Sequence, residues 1–547
     1  MTQRASGGRL VGLLLAVGLA LGTAAQASSD LEAVSHGVSS LNGDAYADLV
    51  VGVPYEDVVA AADAGAVDVF YGRAGTLSAA GSQEWTQGVL SDLVEDFASS
   101  TDVFGSSLGL GDFNGDGHLD LAVGVPGETL EAGGVTDAGA VQVFYGSRTG
   151  LLAAADLFFH QNSTGVEGEA ENGDGFGAAL AGCDFDGDGY DDLAVGVPRD
   201  KVGTVSVVEA GAVQVFRGTA SGLAPADDVV WHEDSVGIDG QAEEGDGFGS
   251  ALVAADFNRD GYGDLAIGAP GQSAGAGAVH VLLGSSAGLK VTGALYWLQG
   301  SLGIDDVPEA GDGFGATLVA GDFDGDGYAD LGIGVAGEDV AGLADAGALH
   351  ILYGEPAGVT PERELWVTQD GMDTGHSEDG DGFGASMAAG DFDGDGYEDL
   401  AVGAPGGTLT VTAAGTVSVL YGSELGLAMA GVECWGQGDS GILEIAEEGD
   451  GFGYSLAVGD LNADAHADLI VGVPTEDLGI YPDVGVIHVI YGGPGGLSAV
   501  GNQLWQQGVN GVIGTGSLGD RFGTVLAALP RKAGVAYLAL VLRGFHR

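Results

Sequence analysis

The chain has 547 residues, 105 of them glycine and 13 proline without any G-X-Y register, which excludes a collagen helix; its 45% hydrophobic content argues against a disordered chain. Acids outnumber bases 80 to 15, a formal charge of −65 that repels nucleic acid phosphates and anionic lipid heads and attracts cations. Two cysteines, Cys183 and Cys434, can build neither a disulfide framework nor a thiolate zinc cluster.

At the N-terminus, Arg4 and Arg9 lead an apolar run from Leu10 to Leu21, and Ala25-Gln26-Ala27 offers the small-x-small pattern that a signal peptidase cleaves. A run of about 12 apolar residues is too short to span roughly 30 Å of hydrocarbon. Residues 1–27 therefore read as a signal peptide cleaved near Ala27. The mature chain is expected to be secreted, at the cell surface or in a periplasm, with no transmembrane segment.

Internal repeats dominate everything that follows. Phe-Gly recurs at Phe104, Phe176, Phe248, Phe314, Phe383, Phe452 and Phe522, at spacings of 72, 72, 66, 69, 69 and 70 residues. Eight residues after each of the first six comes an acidic loop, then an apolar run such as Leu193-Ala194-Val195-Gly196-Val197-Pro198. An alternating segment, as in Ala212-Val213-Gln214-Val215-Phe216, has the period of two of a strand, and an aromatic segment containing Trp85, Phe159, Trp231, Trp297, Trp366, Trp435 or Trp505 closes the unit. Each unit thus reads as four short strands joined by glycine-rich turns. One such sheet cannot bury both faces, but sheets stacked radially can. The fold class is all-β: a seven-bladed β-propeller of four-stranded blades over residues 28–530, with a short apolar and basic tail of unknown role at 531–547. The first blade has a loop at 40–48 but no preceding Phe-Gly segment, whereas the last Phe-Gly strand has no loop after it. The C-terminal strand is therefore expected to join the N-terminal blade and close the ring, against the alternative of an eighth repeat cut short. The tryptophans, recurring at one position, are expected to fill the wedges between blades rather than to bind sugars.

The acidic loops follow Asp-x-Asp/Asn-x-Asp-Gly-x-x-Asp, with oxygens at positions 1, 3, 5 and 9 and a backbone carbonyl at position 7. Hard oxygen donors converging on one turn suit calcium rather than zinc, and glycine at position 6 permits the positive φ that wraps the chain round an ion. Five loops meet the pattern in full: Asp112, Asn114, Asp116, His118, Asp120; Asp184, Asp186, Asp188, Tyr190, Asp192; Asp256, Asn258, Asp260, Tyr262, Asp264; Asp322, Asp324, Asp326, Tyr328, Asp330; and Asp391, Asp393, Asp395, Tyr397, Asp399. The histidine or tyrosine at position 7 contributes only its carbonyl. Asp460, Asn462, Asp464, His466 and Asp468 keep the oxygens, but Ala463 and Ala465 replace both glycines, so a weaker site is expected. The first loop keeps Asn42, Asp44 and Asp48 with Ser40 at position 1 and Ala45 at position 6, and stands between empty and occupied, giving five to seven Ca²⁺ sites in all. No Glu follows at position 12 and no helices flank the loops, so these are not EF-hands. The seven loops hold 23 carboxylates that repel one another without a cation, which makes the expected metal structural and not catalytic.

Phe-Gly, the acidic loop and the following Gly-Ala-Pro, as in Gly268-Ala269-Pro270 and Gly403-Ala404-Pro405, together resemble the FG-GAP repeat of the seven-bladed integrin α head and of similar exported bacterial proteins. The resemblance covers about residues 34 to 529 and implies calcium in the loops of one face and adhesion or protein recognition through others. The absence of leg domains after the ring argues against pairing with an integrin β subunit. The expected function is an exported, monomeric, calcium-binding adhesion or interaction module. Its protein or glycan ligand would meet variable loops such as Glu128 to Asp137, Arg199 to Glu209 or Glu338 to Asp345. Alternatives are an acidic surface or matrix protein and, less favoured, a polysaccharide lyase. A lyase needs clustered cations and a base, yet only eight Lys or Arg lie scattered between residues 28 and 520, so no catalytic residues and no enzyme are expected. Cys183 and Cys434 fall in blades too far apart for a disulfide.

Overall fold

The computed structural model describes residues 40–528, apart from 89–97, 131–133, 203–206, 373–375 and 439–440, together with 535–536. The expected signal peptide lies outside the described residues. So does the tail, except Val535–Ala536, whose backbone pairs antiparallel with Ala254 and Ala255.

Seven antiparallel sheets of four repeat strands make a β-propeller. The third blade shows the plan: Ala179–Cys183 is innermost, followed outward by Asp192–Val197, Ala212–Arg217 and Ala224–Trp231. First strands of neighbouring blades touch around the axis, and there the chain is small and apolar, as in Ser107–Gly111 and Ala251–Ala255, both wholly buried. Burial falls off outward, so Ser78–Trp85 is half exposed. Helix is confined, among the described residues, to short pieces at Gln272–Gly275 and Gln369–Gly371. The ring closes as expected. Val525–Ala527 is the innermost strand of the first blade and pairs with Val50–Gly52 of Leu49–Val53.

The two glycine motifs meet at each seam between blades. A Cβ on Gly124, in the second strand of the second blade, would lie 2.1 Å from the carbonyl oxygen of Gly177, the Phe-Gly glycine of the third. Real Cβ atoms do not approach that closely, so both motifs are glycine because two backbones touch. Ser107 adds a hydrogen bond from its Oγ to the same Gly177 carbonyl, 2.6 Å. The Phe-Gly phenylalanines are fully buried.

Wedge packing follows the expectation at most seams and corrects it at one. Trp85 packs at a tilt against Phe144 of the next blade with centroids 4.6 Å apart, Phe159 edge-on against Phe216 at 4.7 Å and Trp505 at a tilt against Phe70 at 5.7 Å. Trp231 and Trp297 are only partly covered, with Leu282 and Leu352 at the position that Phe70, Phe144 and Phe216 hold, whereas Trp435 is buried in a cluster with Ile490. Trp366 is not a wedge residue. Elsewhere the wedge aromatic pairs with the second residue of the third strand, as Val141 with Phe159; in the fifth blade the residue opposite Leu349 is Val367, fully buried. Trp366 lies one place earlier, opposite His350, and a one-residue offset turns a side chain to the other face. It is 38% exposed.

Candidate metal centre

Six acidic loops join the innermost strand of a blade to the second, and the first loop leads from the N-terminal segment into the second strand of its blade, so all seven gather at one end of the ring. Asp120, Asp192, Asp264, Asp330, Asp399 and Asp468 begin the second strands, which plants position 9 on a rigid element. The loops wrap as their glycines require: position 6 is left-handed at Gly117, Gly189, Gly261, Gly327 and Gly396, with φ from 85° to 99°. The position-1 carboxylate accepts the amides of the turn, as Asp112 does from Asp116 and Gly117, both at 3.0 Å. Position 5 accepts the amide of position 7, as Asp188 does from Tyr190 at 3.1 Å. At position 9 one oxygen accepts the position-2 amide and the other the amide just after the third strand, as Asp399 does from Phe392 (2.8 Å) and Gly422 (2.9 Å).

Three loops bring carboxylates from positions 1, 3 and 9 together. One oxygen from each of Asp184, Asp186 and Asp192 lies within 4.8 Å of the others, and the same holds for Asp322, Asp324, Asp330 and for Asp391, Asp393, Asp399. The position-5 residues Asp188, Asp326 and Asp395 stand outside these clusters. Asn42, Asn114, Asn258 and Asn462 hold position 3 in the other four loops, and the Oδ1 of Asn462 is buried without a hydrogen-bond partner. Burial, reinforced by neighbouring acids, pushes Asp120, Asp192, Asp399 and Asp468 up to about 8 and Asp48 to about 7; Asp264 and Asp330 are also raised well above the usual carboxylate range. The oxygen-only donor set and these unneutralised carboxyls fit a hard divalent cation.

The two departing loops differ from each other. Ala463 and Ala465 adopt the left-handed conformation at φ 57° and 72°, as the glycines do elsewhere, so the last loop keeps its shape under strain. In the first loop Ala45 is not among the left-handed residues. Ser40 Oγ instead donates to Asn42 Oδ1 (2.9 Å) and Asp48 Oδ2 (3.1 Å), closing the turn by hydrogen bonds.

Several partners of these loops carry no local sequence signal. The position-8 amide of every loop donates to the position-1 carbonyl of the loop before it: Ala47 to Asp460, Leu119 to Ser40, Asp191 to Asp112, Gly263 to Asp184, Ala329 to Asp256, Glu398 to Asp322 and Ala467 to Asp391, at 2.9 to 3.4 Å. The position-7 ring covers the preceding loop's fourth residue. A Cβ on Gly115 would come 2.7 Å from Tyr190, and where Arg259 replaces that glycine its guanidinium lies 5.9 Å from the Tyr328 ring. Asp191 accepts the amide of Asp112 at 2.7 Å, and Glu398 that of Asp322 at 3.1 Å. Two arginines reach position 3 directly: Arg217 to Asp186 (3.3 Å) and Arg363, stacked on Tyr353, to Asp324 (2.7 Å).

The buried histidines His280 and His350 pair with Glu233 (3.0 Å) and Glu364 (2.6 Å) away from solvent. No disulfide joins Cys183 and Cys434. No helix among the described residues is long and apolar enough to cross a membrane.

The FG-GAP repeat family matches residues 41–70, 104–144, 176–216, 248–282, 314–352, 383–420 and 452–490, one match per blade. The chain is 33% identical over 250 residues to integrin alpha-5 of Xenopus laevis, covering 44% of this chain and 21% of that protein. It is 37% identical over 161 residues to the phosphatidylinositol-glycan-specific phospholipase D of Rattus norvegicus, covering 29% and 17%. The match thus spans about a fifth of each relative's length. Among solved structures, the rhamnogalacturonan lyase of Bacillus licheniformis aligns over 80% of this chain and 84% of its own at a TM-score of 0.31 and 11% identity, too low to bear on function. With its motif repeated once in every blade, the chain is an FG-GAP repeat protein resembling the N-terminal propeller of integrin α subunits.

Proposed function

We propose that the protein is an exported recognition module, without enzymatic activity, in which calcium in the acidic loops rigidifies one end of a ring whose opposite end meets a protein or glycan. The observation that carries this reading is the gathering of the position-1, 3 and 9 carboxylates in loops hydrogen-bonded to one another round the whole ring. Asp112, Asp184, Asp256, Asp322 and Asp391 with their position-3 and position-9 partners would hold the ions; bound calcium would neutralise carboxyls that otherwise repel. Each ion would bridge the first two strands of its blade, so binding to the folded state alone adds stability. At the other end, the connections of second to third strands and of one blade to the next expose Val59, Val236, Leu302, Ile445, Ile480 and Leu518, apolar tips suited to a partner surface.

The test is a thermal melt of the full chain in calcium and in chelator, followed by binding of the calcium-loaded chain to protein and glycan arrays. The melting temperature is expected to rise with calcium and to fall in variants carrying Asp192→Asn or Asp399→Asn. Identical melts in calcium and chelator would overturn the reading.

A further inference from the structure

Position 8 of the acidic loops is a spacer between two ligand positions, yet in two loops it is itself an acid: Asp191 and Glu398. The backbone amide at this position donates to the position-1 carbonyl of the loop before, at 3.1 Å for Asp191 on Asp112 and 3.1 Å for Glu398 on Asp322. In these two loops the side chain closes a second bond in the opposite direction. The amide of Asp112 donates to Asp191 Oδ2 at 2.7 Å, and that of Asp322 to Glu398 Oε2 at 3.1 Å. One residue thus holds both backbone groups of the first residue of the neighbouring loop. At position 8 of the other five loops stand Ala47, Leu119, Gly263, Ala329 and Ala467, whose side chains accept no hydrogen bond.

Both clamps are buried, Asp191 at 6% exposed and Glu398 at 1%. Water does not compete for the amide there, so a charge-assisted bond keeps more of its strength than at the surface. A glycine leaves room for each acid. A Cβ on Gly111 would lie 3.1 Å from the Cβ of Asp191, and one on Gly321 would lie 3.1 Å from Glu398 Oε2. Between the Asp184 and Asp256 loops the same space is filled from the other side: Cys183 precedes Asp184, and a Cβ on Gly263 would run into its Sγ.

We propose that Asp191 and Glu398 are positioning residues that couple calcium binding in adjacent loops, the Asp112 loop with the Asp184 loop and the Asp322 loop with the Asp391 loop. The proposal rests on the reading of these loops as calcium sites. Residue 191 lies between the Tyr190 carbonyl and the Asp192 carboxylate, two of the groups that would hold calcium in its own loop, so filling that loop fixes residue 191. Residue 191 in turn fixes the backbone of Asp112, whose carboxylate would hold calcium in the next. Order imposed on the clamp by filling one loop is not imposed again by filling the other, which gives a positive coupling that acts equally in both directions. Glu398, between Tyr397 and Asp399, does the same for Asp322. At the other five joints the side chain of position 8 adds no such bond.

Equilibrium dialysis of the full chain across a calcium titration tests this through the number of ions bound and the concentration at which each loads. Asp192→Asn is expected to remove one ion and to raise the half-loading concentration of a second about tenfold, inside the usual range for coupled sites. Asp191→Ala is expected to keep the ion count, and adding Asp192→Asn to it then to remove one ion and shift no other. Asp191→Asn, whose side-chain oxygen still accepts the Asp112 amide, is expected to restore the shift. Glu398→Ala and Glu398→Gln with Asp399→Asn repeat the cycle at the second pair, so a variant that fails to fold at one pair leaves the other to decide. A parent that binds no calcium would overturn the calcium reading and the coupling together. A parent that binds calcium, with Asp192→Asn and Asp399→Asn each removing one ion and shifting none, would overturn the coupling alone, as would a shift that survives in the Asp191→Ala and Glu398→Ala backgrounds.

Discussion

Two methyl groups, on Ala463 and Ala465, stand in the last acidic loop where most of the complete ones have glycine. Ala465 holds the conformation of Gly117 and its counterparts at φ 72°, where a side chain crowds the backbone at a cost of about 1 kcal/mol. Ala465→Gly is expected to raise stability by about that amount and to tighten calcium at this loop, checked by denaturant melts and by titration of the ion. Its local signal was plain in the sequence. The partners of the loops were not: Arg363 reaches Asp324 across 39 residues because strand register, and no local motif, brings them together. The exclusion of position 5 from the carboxylate clusters was equally invisible, since spacing gives residue order and not which way a side chain turns.

Strand register decides matters at the scale of the element. Trp505 and Trp366 look alike in the repeat, yet one is 7% exposed against Phe70 and the other 38% exposed beside His350. Trp505→Ala is therefore expected to cost about 3–5 kcal/mol and Trp366→Ala less than about 1 kcal/mol, measured by urea unfolding. At the seams the backbones leave no room. Gly124→Ala places a Cβ against the Gly177 carbonyl, and a loss of roughly 3 kcal/mol or failure to fold is expected from expression and melting of that variant. Hydrogen bonds between blades repeat too: Gln87 donates to Glu128, Gln299 to Glu338 and Gln437 to Glu476, at 2.6 to 2.7 Å.

Across the whole molecule, buried acids make the metal-free ring sensitive to pH in an unusual direction. Burial pushes Glu338 and Glu476 up to about 8, and Glu56 and Asp200 to about 7. Such carboxyls bind protons more tightly folded than unfolded. Their stabilising contribution is complete below the ordinary carboxylate range of about 4.5 and disappears as pH rises through about 8. In chelator the melting temperature is expected to fall steadily from pH 5 to pH 8.5, and Glu476→Gln to flatten part of that slope. A flat profile in the parent would show that these groups ionise without penalty.

The sequence alone determined the blade count, the ring closure and the seven candidate loops, because a repeat prints its physics many times over: an apolar run, a glycine turn and an acidic turn recur in phase wherever blades must touch and turn. Only the tertiary structure decided which residues fill a wedge, which arginines sit on acidic loops, how the loops are hydrogen-bonded into a circle and that Asp68 is buried opposite Glu84. Those depend on register across strands and on contacts between neighbouring blades, and a chain read one residue after another does not contain that distance information.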